Sequence, residues 1–119
     1  MKIKTAEATG LQLDWGVGKV LQAEKLQLVE GGVIYKPSSG GRQVLRHADP
    51  AVCMGLIERH RLNIGHGSNG NTKFFVQPSA VYSERWPSGK TLAQAVARCV
   101  IAMRLGDEFE VPDELGVQS

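Results

Sequence analysis

The histidines and cysteines of this chain could in principle hold a metal ion or provide a nucleophile. They are His47, Cys53, His60, His66 and Cys99, and the short paired spacings typical of zinc sites do not occur among them. Cys53 and His60 would lie about 10 Å apart on a helix, which is too far for direct proton transfer. The sequence therefore predicts a non-enzymatic protein with no catalytic residues, no metal site and no cofactor. We expect both thiols to be free.

A glycine-rich segment, Gly65–Gly70, resembles a phosphate-binding loop in composition. Such loops follow a strand, precede a helix and usually carry a lysine followed by serine or threonine. Here the segment leads into Lys73–Val76, whose composition predicts a strand instead. A flexible connection over residues 63–71 is therefore the favoured interpretation.

A small-ligand pocket is the best candidate for a site. Hydroxyl groups and backbone amides follow the predicted strand that ends near Tyr35, and pockets often form at strand ends. Two tryptophans could wall the cleft, although both rings could equally belong to the core or its rim. The candidate ligand-binding residues are Trp15, Tyr35, Pro37, Ser38, Ser39, Arg59 and Trp86.

Charge is distributed unevenly along the chain, although the net charge is only +2. Residues 106–119 contain five acidic residues and no Lys or Arg, so the first 105 residues hold all 14 bases and the other seven acids, a balance of +7. The bases are dispersed singly, which disfavours a nucleic-acid surface. An anionic small molecule is an alternative ligand for this basic body. Because Pro112 and Leu115 provide apolar anchors, we expect the acidic C-terminal segment to dock on the body.

Capping residues and apolar periodicity predict three helices, a hairpin and a further strand. The first helix begins near Thr9 as N-cap, and Gly16 and Gly18 within it indicate the close approach of another backbone. The second begins at Asp49-Pro50, and the third is capped by Thr91 or Ser88 and ends at Gly106 in the left-handed conformation. The hairpin joins 26–30 to 33–36, the further strand covers 73–76, and 80–83 would form a fourth strand or an extension of the third.

This order predicts a single α+β domain over residues 1–119, in which helices cover a small antiparallel sheet. The last helix, over 92–105, is so apolar that it must pack on most sides against the sheet and the other helices or against a second subunit. We therefore expect a homo-oligomer. No apolar run is long enough to span a membrane and no signal peptide is visible, so the expected location is the cytoplasm.

Several segments together resemble one known family. They are Lys2-Ile3-Lys4-Thr5 with Thr9-Gly10 and Leu13-Asp14-Trp15, then Tyr35-Lys36-Pro37-Ser38-Ser39 and Leu56-Ile57-Glu58-Arg59, and finally Arg98-Cys99 with Leu105-Gly106-Asp107-Glu108, Glu110-Val111-Pro112 and Glu114-Leu115. This combination is similar to the phage NinX-type proteins, a small family of tailed phages and prophages with no assigned biochemical function. The chain departs from the family in residues 40–55, which replace its usual Asp-Trp and Gly-Gly-Pro segment.

The resemblance implies a phage α-β-α sandwich-like domain and a phage or prophage accessory protein in the host cytoplasm. Because small phage proteins commonly act on host machinery, it implies a binding module for a host or phage protein. Two alternatives stay open: a protein that sequesters a nucleotide-like small molecule, and a nucleic-acid accessory factor.

Overall fold

The computed structural model describes residues 1–21, 24–29, 32–36, 43–66, 73–78 and 87–116. Its helices are α1 (Leu11–Val20), α2 (Pro50–His60), α3 (Leu92–Leu105) and α4 (Asp113–Gly116), with a 3-10 turn at Thr5–Glu7. Its strands are β1 (Lys2–Lys4), β2 (Glu24–Val29), β3 (Gly32–Lys36), β4 (Gln43–Leu45), β5 (Leu62–His66), β6 (Phe74–Pro78), β7 (Ser88–Gly89) and β8 (Glu108–Glu110). The α+β prediction is confirmed.

The described strands form three small antiparallel sheets in place of the single sheet expected. Their strand orders are β2-β3-β4, β5-β6-β7 and β1-β8. The predicted first hairpin is β2–β3, in which Leu28 pairs with Val33. The predicted loop over 63–71 is wrong for residues 63–66, because these continue β5 and pair with β6. Local turn-forming composition is overridden there by the sheet partner.

The helix α3 is the centre of the hydrophobic core. Its buried residues Ala95, Val96, Ala97, Cys99, Val100 and Ile101 face different directions around its axis. It contacts α1, α2, β6, β7 and β8. The chain itself therefore packs around most sides of this helix. The homo-oligomer stays a prediction, but the apolar surface of α3 no longer supports it.

The helix α1 lies between α3 and the β2-β3-β4 sheet. A Cβ atom at Gly16 would lie 3.0 Å from Phe109 and closer still to Ile101, and one at Gly18 would lie 2.6 Å from Leu26. The glycines are thus required by close approach, but the neighbours are side chains rather than the backbone that we expected.

Helix ends follow the sequence in α2 and α3 but not in α1. Asp49 accepts a hydrogen bond from the Ala51 amide at 2.9 Å, and Thr91 Oγ1 accepts one from Gln94 at 3.1 Å. The predicted Thr9 cap is wrong: Gly10 is the N-cap with φ 52°, a conformation that favours glycine. Gly106 also has positive φ, 98°, but its ψ of −168° is not left-handed helical.

The two ends of the chain form a closed unit, which we call the terminal clasp (residues 1–5 and 106–116). Strand β8 pairs with β1, so that Lys2 lies opposite Glu110 and Lys4 opposite Glu108. The Met1 amine donates to Glu110 Oε2 at 2.9 Å. Phe109, Val111 and Leu115 are buried in the core. The expected docking of the acidic segment is confirmed for residues 106–116.

Candidate functional site

The structure describes three of the seven candidate ligand-binding residues. Trp15 is half-buried on α1 with the Lys19 ammonium 5.6 Å from its ring centroid, and Tyr35 is half-buried on β3. Arg59 is exposed in the last turn of α2. Pro37, Ser38, Ser39 and Trp86 lie outside the described residues. Among the described residues, no hydrogen bond or ring contact joins any two of Trp15, Tyr35 and Arg59, and the ligand-binding site stays a prediction.

A buried aspartate–histidine pair connects α1 to the segment between β4 and α2. The Asp14 Oδ1 atom accepts a hydrogen bond from the His47 amide at 2.7 Å and lies 2.6 Å from His47 Nδ1. The side chains are only 10% and 15% exposed, respectively. For Nδ1 to donate to the carboxylate, it must carry a proton.

A histidine hydrogen-bonded to an aspartate can act as the general base that activates a nucleophile. This pair also has a simpler structural role. One carboxylate oxygen holds both the backbone and the ring of His47, two residues before the Asp49 cap of α2. It thereby fixes where α2 begins relative to α1. Asp14 lies on the same face of α1 as Leu11 and Gly18. Because their spacing is that of the apolar face of a helix, it could have indicated that this carboxylate is buried.

The two cysteines do not supply the nucleophile that such a pair would need. Both are free and buried, as predicted for the thiols. Burial raises the pKa of Cys99 to about 12 and raises the pKa of Cys53 above its ordinary value. Because the thiolate is the reactive form, neither residue is an activated nucleophile at neutral pH.

Arg98 is a half-buried cation whose hydrogen bonds all go to backbone carbonyls. Its Nε and Nη2 atoms donate to the Ala8 carbonyl at 3.0 and 2.9 Å, and its Nη1 donates to the Ser88 carbonyl at 2.8 Å. Burial lowers the pKa of this guanidinium. The residue therefore ties α3 to the N-terminal segment and to β7.

Two of the three histidines, His47 and His60, have partners within the chain. His47 is engaged with Asp14, and His60 Nδ1 lies 3.1 Å from the Leu56 carbonyl of its own helix. Within the ranges that the structure describes, no three metal-ligating side chains of His, Cys, Asp or Glu lie together. His60 Nε2 is the one buried side-chain nitrogen or oxygen in those ranges that makes no hydrogen bond.

The β5–β6 hairpin, residues 62–66 and 74–78, has an exposed edge strand and two exposed large apolar side chains. Strand β5 is at the edge of its sheet, and its three central residues Asn63, Ile64 and Gly65 are all exposed. In an antiparallel pair, alternate residues of the edge strand direct their amide and carbonyl groups away from the neighbour. In the described part of the chain, β5 pairs only with β6, so these outward groups have no strand partner.

Two large apolar side chains flank this edge on opposite faces of the hairpin. Ile64 is 46% exposed although it lies opposite the buried Val76, and Phe75 is 44% exposed opposite Gly65. A Cβ atom at Gly65 would meet only the Phe75 carbonyl oxygen, at 3.9 Å. The space beside the Phe75 position is therefore open, and sequence reasoning missed it because residues 63–66 were predicted to be a loop.

The helices in the described part of the chain are too short or too polar to cross a lipid bilayer. No protein-family model and no curated protein sequence matches the chain. The resemblance to the phage NinX-type proteins accordingly rests on the quoted segments alone. The candidate functional site is the edge of the β5–β6 hairpin.

Proposed function

We propose that this protein is a non-enzymatic binding module, encoded by a phage or prophage and acting in the host cytoplasm, that engages a host or phage protein. The proposal is supported by the positions in the fold of the residues that resemble the NinX-type family, which we call the family-like residues. Asp14, Arg98 and Leu115 among them make interior contacts that hold the chain together, whereas the exposed apolar edge of β5 lies elsewhere.

Several of the family-like residues in the described ranges have interior contacts. Asp14 fixes the segment before α2, Arg98 ties α3 to Ala8 and Ser88, and Leu115 is 1% exposed. The Gln12 side chain donates to the Leu115 carbonyl at 2.7 Å, which anchors the closing motif to α1. A shared motif of this kind supports a common scaffold rather than a shared reaction, because scaffold residues are selected for packing.

The β5–β6 hairpin supplies what a macromolecular partner needs. It combines outward backbone groups with exposed apolar side chains, and such combinations are typical of protein-binding surfaces. The pockets of small-molecule enzymes instead combine convergent polar groups with perturbed titratable residues. The described thiols have their pKa values shifted away from reactivity, which supports the non-enzymatic proposal.

Affinity capture from phage-infected cells tests this function. The tag belongs after Ser119, because the Met1 amine is bonded within the terminal clasp. We expect one host or phage protein to co-purify in a fixed ratio, and an unrelated tagged protein of similar charge is the control. If no protein is enriched above that control, the proposed function is wrong.

A second function is favoured by one contact, the Lys19 ammonium over the Trp15 ring. An aromatic face beside a cation suits a nucleotide-like anion, since the base can stack while the charge meets phosphate. A thermal-shift screen with nucleotides measures this, and Trp15→Leu should abolish any shift while leaving the unliganded melting temperature within a few degrees. No shift with any nucleotide would end this alternative.

A further inference from the structure

We propose that the outer edge of β5 binds an extended peptide segment of the partner, with acidic residues at the end that lies beside Arg59 and Arg61. This inference rests on the proposed function and names the surface and the chemistry of the partner. It commits to an added strand, the mode in which a peptide extends an existing sheet through main-chain hydrogen bonds.

The sequence of β5 lacks the features that normally protect an edge strand. Exposed edges are usually blunted by charged side chains, above all lysine, or by proline. Strand β5 reads Leu-Asn-Ile-Gly-His and contains neither, whereas β2, at the edge of the other three-stranded sheet, begins with Glu24 and Lys25. The lysines and glutamates of β1 and β8 already face each other. Within the described ranges, edge β5 is thus open to pairing, and with five residues it is longer than β4, which has three.

The side chains around the edge favour a peptide with apolar groups at two neighbouring positions. A residue of the added strand placed next to Ile64 would cover a side chain that is 46% exposed. A residue placed next to Gly65, on the other face, would enter the open space beside Phe75. Because side chains of a strand alternate between faces, neighbouring peptide residues would serve both positions.

Charge then selects the partner. Arg59 and Arg61 are exposed at the end of α2, immediately before β5 begins. Neither forms an ion pair with an acidic residue of the described ranges, and this includes the exposed Glu58 next to Arg59. Two unpaired cations at one end of an uncharged edge are complementary to a peptide that is acidic at that end and uncharged along the strand.

A fluorescent peptide of about eight residues, alternating valine and threonine and ending in two glutamates, is the direct probe. A second peptide carries the glutamates at its start, which distinguishes antiparallel from parallel addition, and a third carries lysines instead. We expect anisotropy to report binding of one glutamate peptide and to report at least about tenfold weaker binding of the lysine peptide. If no peptide binds, or if the lysine peptide binds equally well, the inference is overturned.

Matched variants locate the binding. Ile64→Lys should weaken the peptide at least about tenfold, whereas Val44→Lys, at an equally exposed position of edge strand β4, should leave it unchanged. Arg59→Glu is paired with Arg104→Glu, since both arginines are exposed in the last turn of a helix. Equal effects within either pair would overturn the inference. Circular dichroism confirms that all four variants fold.

Two further outcomes separate this inference from the proposed function. If the chain is a dimer in native mass spectrometry and Ile64→Lys makes it a monomer, a second copy occupies the edge and the peptide proposal is wrong. If the Ile64→Lys chain captures the same cellular partner as the unmodified chain, the function stands but its surface lies elsewhere. Failure of the unmodified chain to capture any partner overturns the function itself.

Discussion

The terminal clasp and the β5–β6 hairpin are both antiparallel pairs of short strands, yet they are completed in opposite ways. In the clasp, each lysine of β1 faces a glutamate of β8, and Ile3 faces Phe109, which is 4% exposed. In the hairpin, Gly65 faces Phe75, which is 44% exposed, and no charged residue lies in either strand. The clasp buries its aromatic side chain in the core, whereas the hairpin leaves an edge strand and two large apolar side chains exposed in the described part of the chain.

This difference indicates where stability and where binding should reside. Substitutions in the clasp and at the contacts that hold α1 and α3 should reduce the free energy of unfolding and leave local binding intact. Substitutions at the hairpin edge should do the reverse.

Phe109→Ala should destabilise the protein by about 3–5 kcal/mol, because it opens a cavity between β8 and the core. Phe75→Ala, the same change in the hairpin, should cost less than about 1 kcal/mol, since much of that ring is exposed. Urea denaturation of both variants measures the difference. Equal costs would show that the two regions do not differ as described.

Asp14→Ala should cost about 1–3 kcal/mol, because the buried amide and ring nitrogen of His47 lose their acceptor. Asp14→Asn is the matched control: its side-chain oxygen can still accept from the His47 amide, so its cost should be smaller. Thermal and urea unfolding report both values. A neutral Asp14→Ala change would refute the assigned structural role.

Arg98→Met should cost about 1–2 kcal/mol, since the Ala8 and Ser88 carbonyls lose a charged donor while most of the side-chain volume is kept. Arg98→Lys should recover part of this, because one ammonium cannot reach both carbonyls with the same fork of donors. Partner capture by either folded variant should match the unmodified chain. A loss of capture at full stability would instead make Arg98 a binding residue.

Lys4→Glu should cost about 0.2–1 kcal/mol, because it places like charges opposite each other on β1 and β8. The double change Lys4→Glu with Glu108→Lys should restore the lost stability by exchanging the charges. High salt should reduce the effect of the single change. If the double variant is no more stable than the single one, the opposed charges of β1 and β8 do not contribute to stability.

Sequence reasoning found the elements whose signals are local. The caps at Asp49 and Thr91 and the apolar surface of 92–105 predicted α2 and α3 correctly, and the composition of 26–36 predicted the β2–β3 hairpin. Pro112 and Leu115 correctly indicated that the acidic segment docks, and Leu115 is indeed buried.

Features that depend on distant partners were not predictable in this way. Strand β1 forms by pairing with β8 from the other end of the chain. A segment of three residues is too short for its pattern to predict a strand. The Asp14–His47 contact joins residues 33 positions apart. Asn63–His66 has the composition of a turn and becomes a strand only beside β6. The candidate site depends on that pairing, so its position was not predicted.

Backbone hydrogen–deuterium exchange of the protein with and without the glutamate peptide shows whether the peptide adds as a strand to the edge of β5. Added strand hydrogen bonds slow exchange at the amides that form them. We predict slower exchange within Asn63–Gly65 and no change at Phe109 and Val111 of the terminal clasp. Unchanged exchange in β5 when the peptide is bound, or protection confined to the clasp, would show that the peptide does not pair with β5.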